Sequence, residues 1–263
     1  MKNNNLNNLI KYGTLQLDSW CVIGINGDPE KVVDLLQGQV TSDINKISLD
    51  GFQLSSICNH KGLVMADFII NKSKEGFSFI VKKSISLTLL NELTPFAKFN
   101  SVTFEEKNIK VMGLISDVNE KLKAFAENDD FSTYVYMSDN KTSHDSTISI
   151  ENWEAGNKIL GNYFIEPEDI GKFRPLELNY DKLRVSFDKG CYRGQEIVAR
   201  MKYLGVDRRS FLTFITTSEY DANENIKVIG KIIKIEDKLA FNGIVKKDLI
   251  PEIQKNPHIL KII

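Results

Sequence analysis

Cysteine, histidine and tryptophan are scarce in this 263-residue chain, and one cysteine has a setting suited to chemistry. Cys191 stands in DKGCYRGQEIVAR, residues 188–200, directly after Gly190 and three residues before Gly194, with Lys189 two positions before it and Arg193 two after. The thiolate is the nucleophile and the soft metal ligand, and neighbouring cations or a helix start favour it over the thiol. QEIVARM has helical composition with a Glu196 to Arg200 pair four apart. Cys191 is therefore expected just before a helix N-terminus, whose partial positive charge adds to that of Lys189 and Arg193. The preceding LRVSF alternates like a strand, which predicts strand, turn and helix in succession with the glycines at the turn. A small apolar residue packed in a tight turn is the other reading of the same thiol.

The surroundings are basic. Between residues 182 and 209, Lys182, Arg184, Lys189, Arg193, Arg200, Lys202, Arg208 and Arg209 are set against only Asp188, Glu196 and Asp207, although the whole chain has a net charge of -1. That overall balance argues against a protein that coats nucleic acid or lipid with its entire surface. The local surplus suits a polyanion, a carboxylate-bearing ligand or a solvated face. Other chemistry is thinly represented. Gly156 to Gly161 has the spacing GxxxxG, but Asn162 and Tyr163 follow where a phosphate loop needs Lys and Ser or Thr. His60, His144 and His258 are scattered. Cys21, Cys58 and Cys191 form no CxxC pair, hence neither a zinc knuckle nor a disulfide framework. Asp43, in QVTSDI, reads as a cap or turn residue.

The elements that must position these residues are legible in outline. WCVIGING predicts a strand running into a turn, and DPEKVVDLLQGQ a helix with Asp28 as N-cap, Pro29 at N1 and an apolar face of Val32, Val33, Leu35 and Leu36. QLSSIC, LVMADFII and FSFIV predict strands parted by the turns NHKG and KSKEG, with a helix across SISLTLLNEL. VTFEE, IKVMGLIS and FSTYVYM predict further strands, VNEKLKAFAEN and SIENWEAGNKIL helices, and HDSTIS a mobile loop. After residue 204 short β-branched runs predict a β-rich tail without a convincing helix. The amino terminus lacks an apolar stretch of signal-peptide length, no window suits a membrane span, and the unpaired cysteines fit a reducing compartment, so the expected location is the cytoplasm.

KGCYRGQEIVAR, preceded by RVSF and followed by the YLG and DRR of residues 203–209, resembles the signature of the YgfZ family, folate-binding relatives of the glycine-cleavage T-protein. DSWCVIGINGDPEKVVDLLQGQVTSDI, HKGLVMADFII and FRPLELNY resemble the family's other segments, so the likeness spans roughly residues 12–210. Arg193 stands where many relatives have a smaller polar residue. The resemblance implies an α+β fold like that of the T-protein, GcvT: two mixed α/β subdomains around a central cleft, residues 1–110 and 111–203, and a C-terminal β-barrel-like module, residues 204–263. It implies a tetrahydrofolate or a derivative as ligand, with Trp20 and Trp153 as folate contacts. Lys189, Gly190, Tyr192, Arg193, Gly194, Gln195, Glu196 and Arg200 would line the cleft, with Cys191 as the functional thiol and a transient iron-sulfur ligand. The implied partners are iron-sulfur enzymes such as tRNA methylthiotransferases, and no membrane. A folate-dependent aminomethyl transferase and a direct tRNA-binding module are the alternatives.

Overall fold

The computed structural model describes residues 9–117, 126–138, 146–205, 208–221 and 224–263. The first sheet grows from local hairpins. Strand β2 (Trp20–Asn26) is followed by helix α1 (Pro29–Gln39), whose N-cap Asp28 accepts from the Glu30 and Lys31 amides at 3.1 and 3.2 Å. Strands β3 (Gly51–Cys58), β4 (Val64–Ser73) and β5 (Gly76–Lys82) pair as antiparallel neighbours, as the intervening turn signals require. Helix α2 (Lys83–Phe99) leads to edge strand β6 (Thr103–Lys107), completing the order β3-β4-β5-β2-β6.

This sheet is buried on both faces, which explains why WCVIGI is apolar without interruption. Alternate residues of β2 serve two different cores. Cys21, Ile23 and Ile25 pack with the apolar stripes of α1 and α2, while Trp20 and Val22 join a second core on the opposite face. Phe77, Phe79 and Val81 of β5 likewise face the helices, whereas Ile80 faces the second core.

The second core lies against a sheet made by β1 (Gly13–Gln16), β7 (Lys110–Ser116), β8 (Ala126–Glu127) and β9 (Ser132–Ser138), in the order β1-β7-β9-β8. Helix α3 (Ile150–Ile159), capped by the Ser149 side chain, closes this core with Trp153, Ala155 and Ile159. Of the helix expected over residues 118–128, residues 118–125 lie outside the described chain, and Ala126 and Glu127 pair with β9. His144 and Asp145 of the expected mobile loop also lie outside it, but its remaining residues are tied to β1: Thr147 donates its amide to the Thr14 carbonyl at 2.7 Å, and the Ser146 hydroxyl accepts from the Gln16 amide at 3.0 Å.

The β-rich tail is an antiparallel sheet of β10 (Arg209–Thr217), β11 (Lys227–Ile235), β12 (Lys238–Lys246) and β13 (Ile259–Ile262), in the order β11-β12-β10-β13. Its own core stacks Phe214 on Phe241 at 5.2 Å and adds Tyr220 and Ile253, the latter from a one-turn helix, Ile250–Ile253, too short to carry a periodic signal. The α+β class expected from the sequence is the class observed. Among the described residues no helix is long and apolar enough to cross a membrane.

One local expectation fails. LRVSF is not a strand: its alternation would turn Leu183, Val185 and Phe187 inward, yet Leu183 is 39% exposed and Arg184 is 1% exposed. The amides of Arg184 and Val185 fold back on the Tyr180 carbonyl, and the amide of Ser186 reaches the Thr41 carbonyl at 2.9 Å, so no ladder forms. The buried arginine decides the conformation of this segment.

Candidate functional site

The signature docks on the segment that joins α1 to β3. The Thr41 hydroxyl donates to the Arg184 carbonyl at 2.7 Å, and the Arg193 amide donates to the Gly38 carbonyl at 3.2 Å. Lys189 turns inward and donates to the carbonyls of Val40 and Ser42 at 2.7 and 2.9 Å, and burial draws its amine down to about 8 against the opposing pull of Asp43. Asp43 itself caps a short helical turn, accepting from the Asn45 amide at 3.1 Å, as its sequence context predicts. Arg193 pairs with Glu92 of α2 at 2.9 Å. The two cations that flank Cys191 in sequence therefore bind the protein's own carbonyls and carboxylate.

Helix α4 (Gln195–Leu204) begins at Gly194, as the composition of QEIVARM predicts. Gly194 has φ +84°, and a Cβ there would lie 2.5 Å from the Asn59 carbonyl oxygen and 3.1 Å from the Gly62 Cα. Gly62, in the NHKG turn, has φ +69° and faces Ile197 across the same contact. The glycine pair thus exists for a backbone-to-backbone approach between hairpin and signature. Gly190 has open space where a Cβ would stand, and Cys191 beside it is exposed. Cys21 and Cys58 are buried, as their strand positions predict; burial raises the Cys21 thiol and pushes that of Cys58 up to about 12. Cys191 is the thiol that solvent reaches. Tyr192 is buried, Arg193, Gly194 and Gln195 are half-buried, and Glu196 and Arg200 form an exposed pair at 3.1 Å.

The two tryptophans meet at one cavity of about 550 Å³, although β2 and α3 carry them from distant parts of the chain. Its wall also includes Lys82, Lys83, Glu154, Asn157, Lys158, Asn162, Tyr163, Phe164, Glu166, Glu168 and Lys231. Trp20 meets Phe164 edge to face at 4.9 Å, and Trp153 packs over Gly113, where a Cβ would lie 3.0 Å from its ring. At 6% and 4% exposure the indoles offer the cavity margins rather than open faces. Lys82 pairs with Glu166 at 2.8 Å. Lys231 arrives where the register of β11 against β12 breaks between Ile229 and Ile233, beside Gly230 at φ +64°, a break that redirects side chains. None of residues 189–200 lines this cavity, so the structure separates the tryptophans from the signature.

Arg184 joins the two. Its guanidinium donates to the Asn162 side chain at 2.8 Å and the Tyr163 carbonyl at 3.0 Å, stands 3.7 Å from Asp67, and lies over the rings of Tyr180 and Phe164 at 4.3 and 4.8 Å. Tyr180 donates to Asp67 at 2.8 Å. Burial raises the Asp67 carboxyl, opposed first by Arg184 and then by Lys82. Tyr163 donates to Asp169, and burial together with that carboxylate raises its phenol. Sequence reasoning counts Arg184 only in the basic surplus, meets Asn162 only as a mismatch to a phosphate loop, and passes over Lys82, Lys158 and Glu166. The signal available for Arg184 is its place in an apolar alternation. The others come from separate segments and share no spacing.

No family model matches the chain. An uncharacterized protein of Haemophilus influenzae is 30% identical over 213 residues, covering 79% of this chain and 75% of its own length. The tRNA-modifying protein YgfZ of Escherichia coli strain SMS-3-5 / SECEC is 26% identical over 300 residues, covering 94% and 91%. Among solved structures, the glycine cleavage system aminomethyltransferase T of Bartonella henselae superposes with a TM-score of 0.63 at 9% identity, over 91% of this chain and 80% of that one, a likeness of fold. With the signature held between hairpin and α1, the aminomethyltransferase-like architecture and relatives that match almost end to end, the chain belongs to the YgfZ family.

Proposed function

We propose that the chain is a cytoplasmic tetrahydrofolate-binding accessory protein that supports iron-sulfur enzymes and through them tRNA modification. The observation that carries the reading is the convergence of Trp20 and Trp153 on one cavity walled by lysines and carboxylates. Its volume lies within the few hundred Å³ typical of small-molecule sites. A reduced folate has a flat pterin, an aromatic linker and an anionic glutamate tail. Aromatic margins from Trp20, Trp153 and Phe164, donors and acceptors from Asn157, Asn162 and Glu166, and cations from Lys82, Lys83, Lys158 and Lys231 match those parts in kind. The folate would supply a one-carbon carrier. The relatives' name of tRNA-modifying protein supports the tRNA side of the reading.

Cys191 is the thiol offered to clients, free of the packing that holds Cys21 and Cys58. Among the described residues no group of three or more His, Cys, Asp or Glu stands ready to hold a metal. A cluster handled at Cys191 would therefore be cargo, with its remaining ligands supplied by the client. Turnover of an aminomethyl donor by the purified chain would instead favour a one-carbon transferase.

Titration with a reduced folate tests the ligand. Indole emission is expected to be quenched, and Trp20→Leu and Trp153→Leu are each expected to weaken binding by about 1 kcal/mol, roughly fivefold. Emission and affinity unchanged in both variants, with the fold intact by circular dichroism, would remove the folate reading of this cavity.

Direct contact with tRNA has one observation in its favour. A groove of about 620 Å³ beside α4 and β10 is lined by Lys182, Lys202, Arg208, Arg209 and Lys247 with Glu177 and Asp181. The surplus is smaller than the sequence suggests, because Arg184 and Lys189 are buried, and Lys202 pairs with Asp181 at 2.9 Å. If RNA uses this groove, log affinity should fall linearly with log salt, and removing Lys182, Arg208 and Arg209 should flatten the slope by about 0.7–0.9 for each phosphate no longer neutralised. A slope that these changes leave alone would place RNA binding elsewhere on the surface.

A further inference from the structure

Lys158 is the cavity-wall cation with the most to gain from an anion. It is the penultimate residue of α3 and is 6% exposed, whereas Lys83 and Lys231 on the same wall are exposed to solvent. Lys82, the remaining cation of the wall, is already paired with Glu166. Among the described residues no carboxylate lies within ion-pair distance of Lys158. Its ammonium donates to the Asn242 Oδ1 of β12 at 3.2 Å and stands 5.6 Å from the centre of the Tyr163 ring. Asn242 Nδ2 donates to the Thr213 hydroxyl at 2.9 Å, and that hydroxyl donates to the Lys158 carbonyl at 2.5 Å. This closed ring holds the amide with its oxygen toward the amine and anchors α3 to the third sheet. One acceptor is thus fixed for a group with three donors.

Resting on the reduced-folate reading of this cavity, we infer that Lys158 is its specificity-determining cation, selecting ligands that present a carboxylate to the α3 wall, and that binding draws a proton from solvent onto its amine. Burial supports the proton step: it lowers the amine to about 8, opposed first by Glu154, helped by Lys82, and opposed again by Glu166 and Asp169. Around pH 8 a good share of the amine is neutral, a bound carboxylate favours the ammonium, and the complex takes up a proton; near pH 6 the amine is already charged and no uptake remains. Tyr163, Glu168, Lys83 and Lys231 also face the cavity, so a comparison with variants at position 158 is needed to assign the proton.

The test is calorimetric titration of the full chain with 5-formyltetrahydrofolate at pH 6 and pH 8, in two buffers of different ionisation enthalpy. Wild type is expected to take up about half a proton per ligand at pH 8 and none at pH 6. Lys158→Gln, which still offers Asn242 an N–H, is expected to bind roughly tenfold more weakly at pH 6 and to take up no proton at pH 8. Lys158→Arg, a cation at every pH, is expected to bind without uptake, and a tetrahydropterin lacking the glutamate is expected not to distinguish wild type from Lys158→Gln. Uptake that persists in Lys158→Gln, or wild-type affinity in that variant, overturns the inference and leaves the folate reading standing. Absence of any binding by wild type at either pH overturns both.

Discussion

Arg184→Ala is expected to cost about 3–5 kcal/mol of folding stability, the range for removing one partner of a buried charged pair. The side chain is 1% exposed, and its removal strands the Asn162 side chain, the Tyr163 carbonyl and the faces of Tyr180 and Phe164 together with Asp67. Arg184→Lys keeps the charge but not the planar stacking or the forked donors, and is expected to fall between wild type and the alanine variant. The deficit should also depend on pH. The Asp67 carboxyl is already raised in the folded chain, and removing Arg184, the strongest influence opposing that rise, lifts it further. The added cost exists only where the folded wild-type carboxyl ionises, so the deficit should shrink as pH falls through the raised folded value of Asp67 and grow toward neutral and higher pH. Urea unfolding at pH 5 and pH 7.5 measures this. A cost under 1 kcal/mol at both would show that Asp67 and its neighbours are satisfied without the guanidinium.

Cys191→Ser is expected to leave the fold within about 0.5 kcal/mol of wild type, as for a surface substitution that breaks no packing. Folate binding should be nearly normal, because Cys191 lies outside the cavity. On the proposed function, support for iron-sulfur clients should disappear, since serine keeps the size but removes the soft, ionisable ligand. The assay is tRNA methylthiotransferase activity in cells carrying only the variant. Alkylation of the purified wild type supplies the chemical control: the exposed Cys191 should react, while Cys21 and Cys58, buried and with raised thiols, should be protected until the chain unfolds. Full client activity in the serine variant would reduce KGCYRGQE to a structural clamp. The contacts of Lys189, Arg193 and Gly194 already account for such a clamp without the thiol, so the serine variant tests Cys191 apart from it.

The features legible in the residues alone are local ones. Asp28 and Pro29 announce α1, the NHKG and KSKEG turns announce the hairpins of β3, β4 and β5, and QEIVARM announces α4, because caps, turns and periodicity act within a few residues. The residues alone leave Cys191 open between a reactive thiol and a small residue packed in a turn, and the fold exposes it. Which surfaces those elements share is a matter for the folded chain. No period in the sequence tells that β1 pairs with β7, that alternate residues of β2 serve two cores, or that Lys231 joins Trp20 and Trp153 at one cavity. Nor does local chemistry distinguish a solvated cation from an enclosed one. Arg184, Lys189 and Lys158 can leave water only because acceptors from distant segments, Asn162 and Tyr163, Val40 and Ser42, and Asn242, converge on them, and an uncompensated charge in the same places would be too costly to bury.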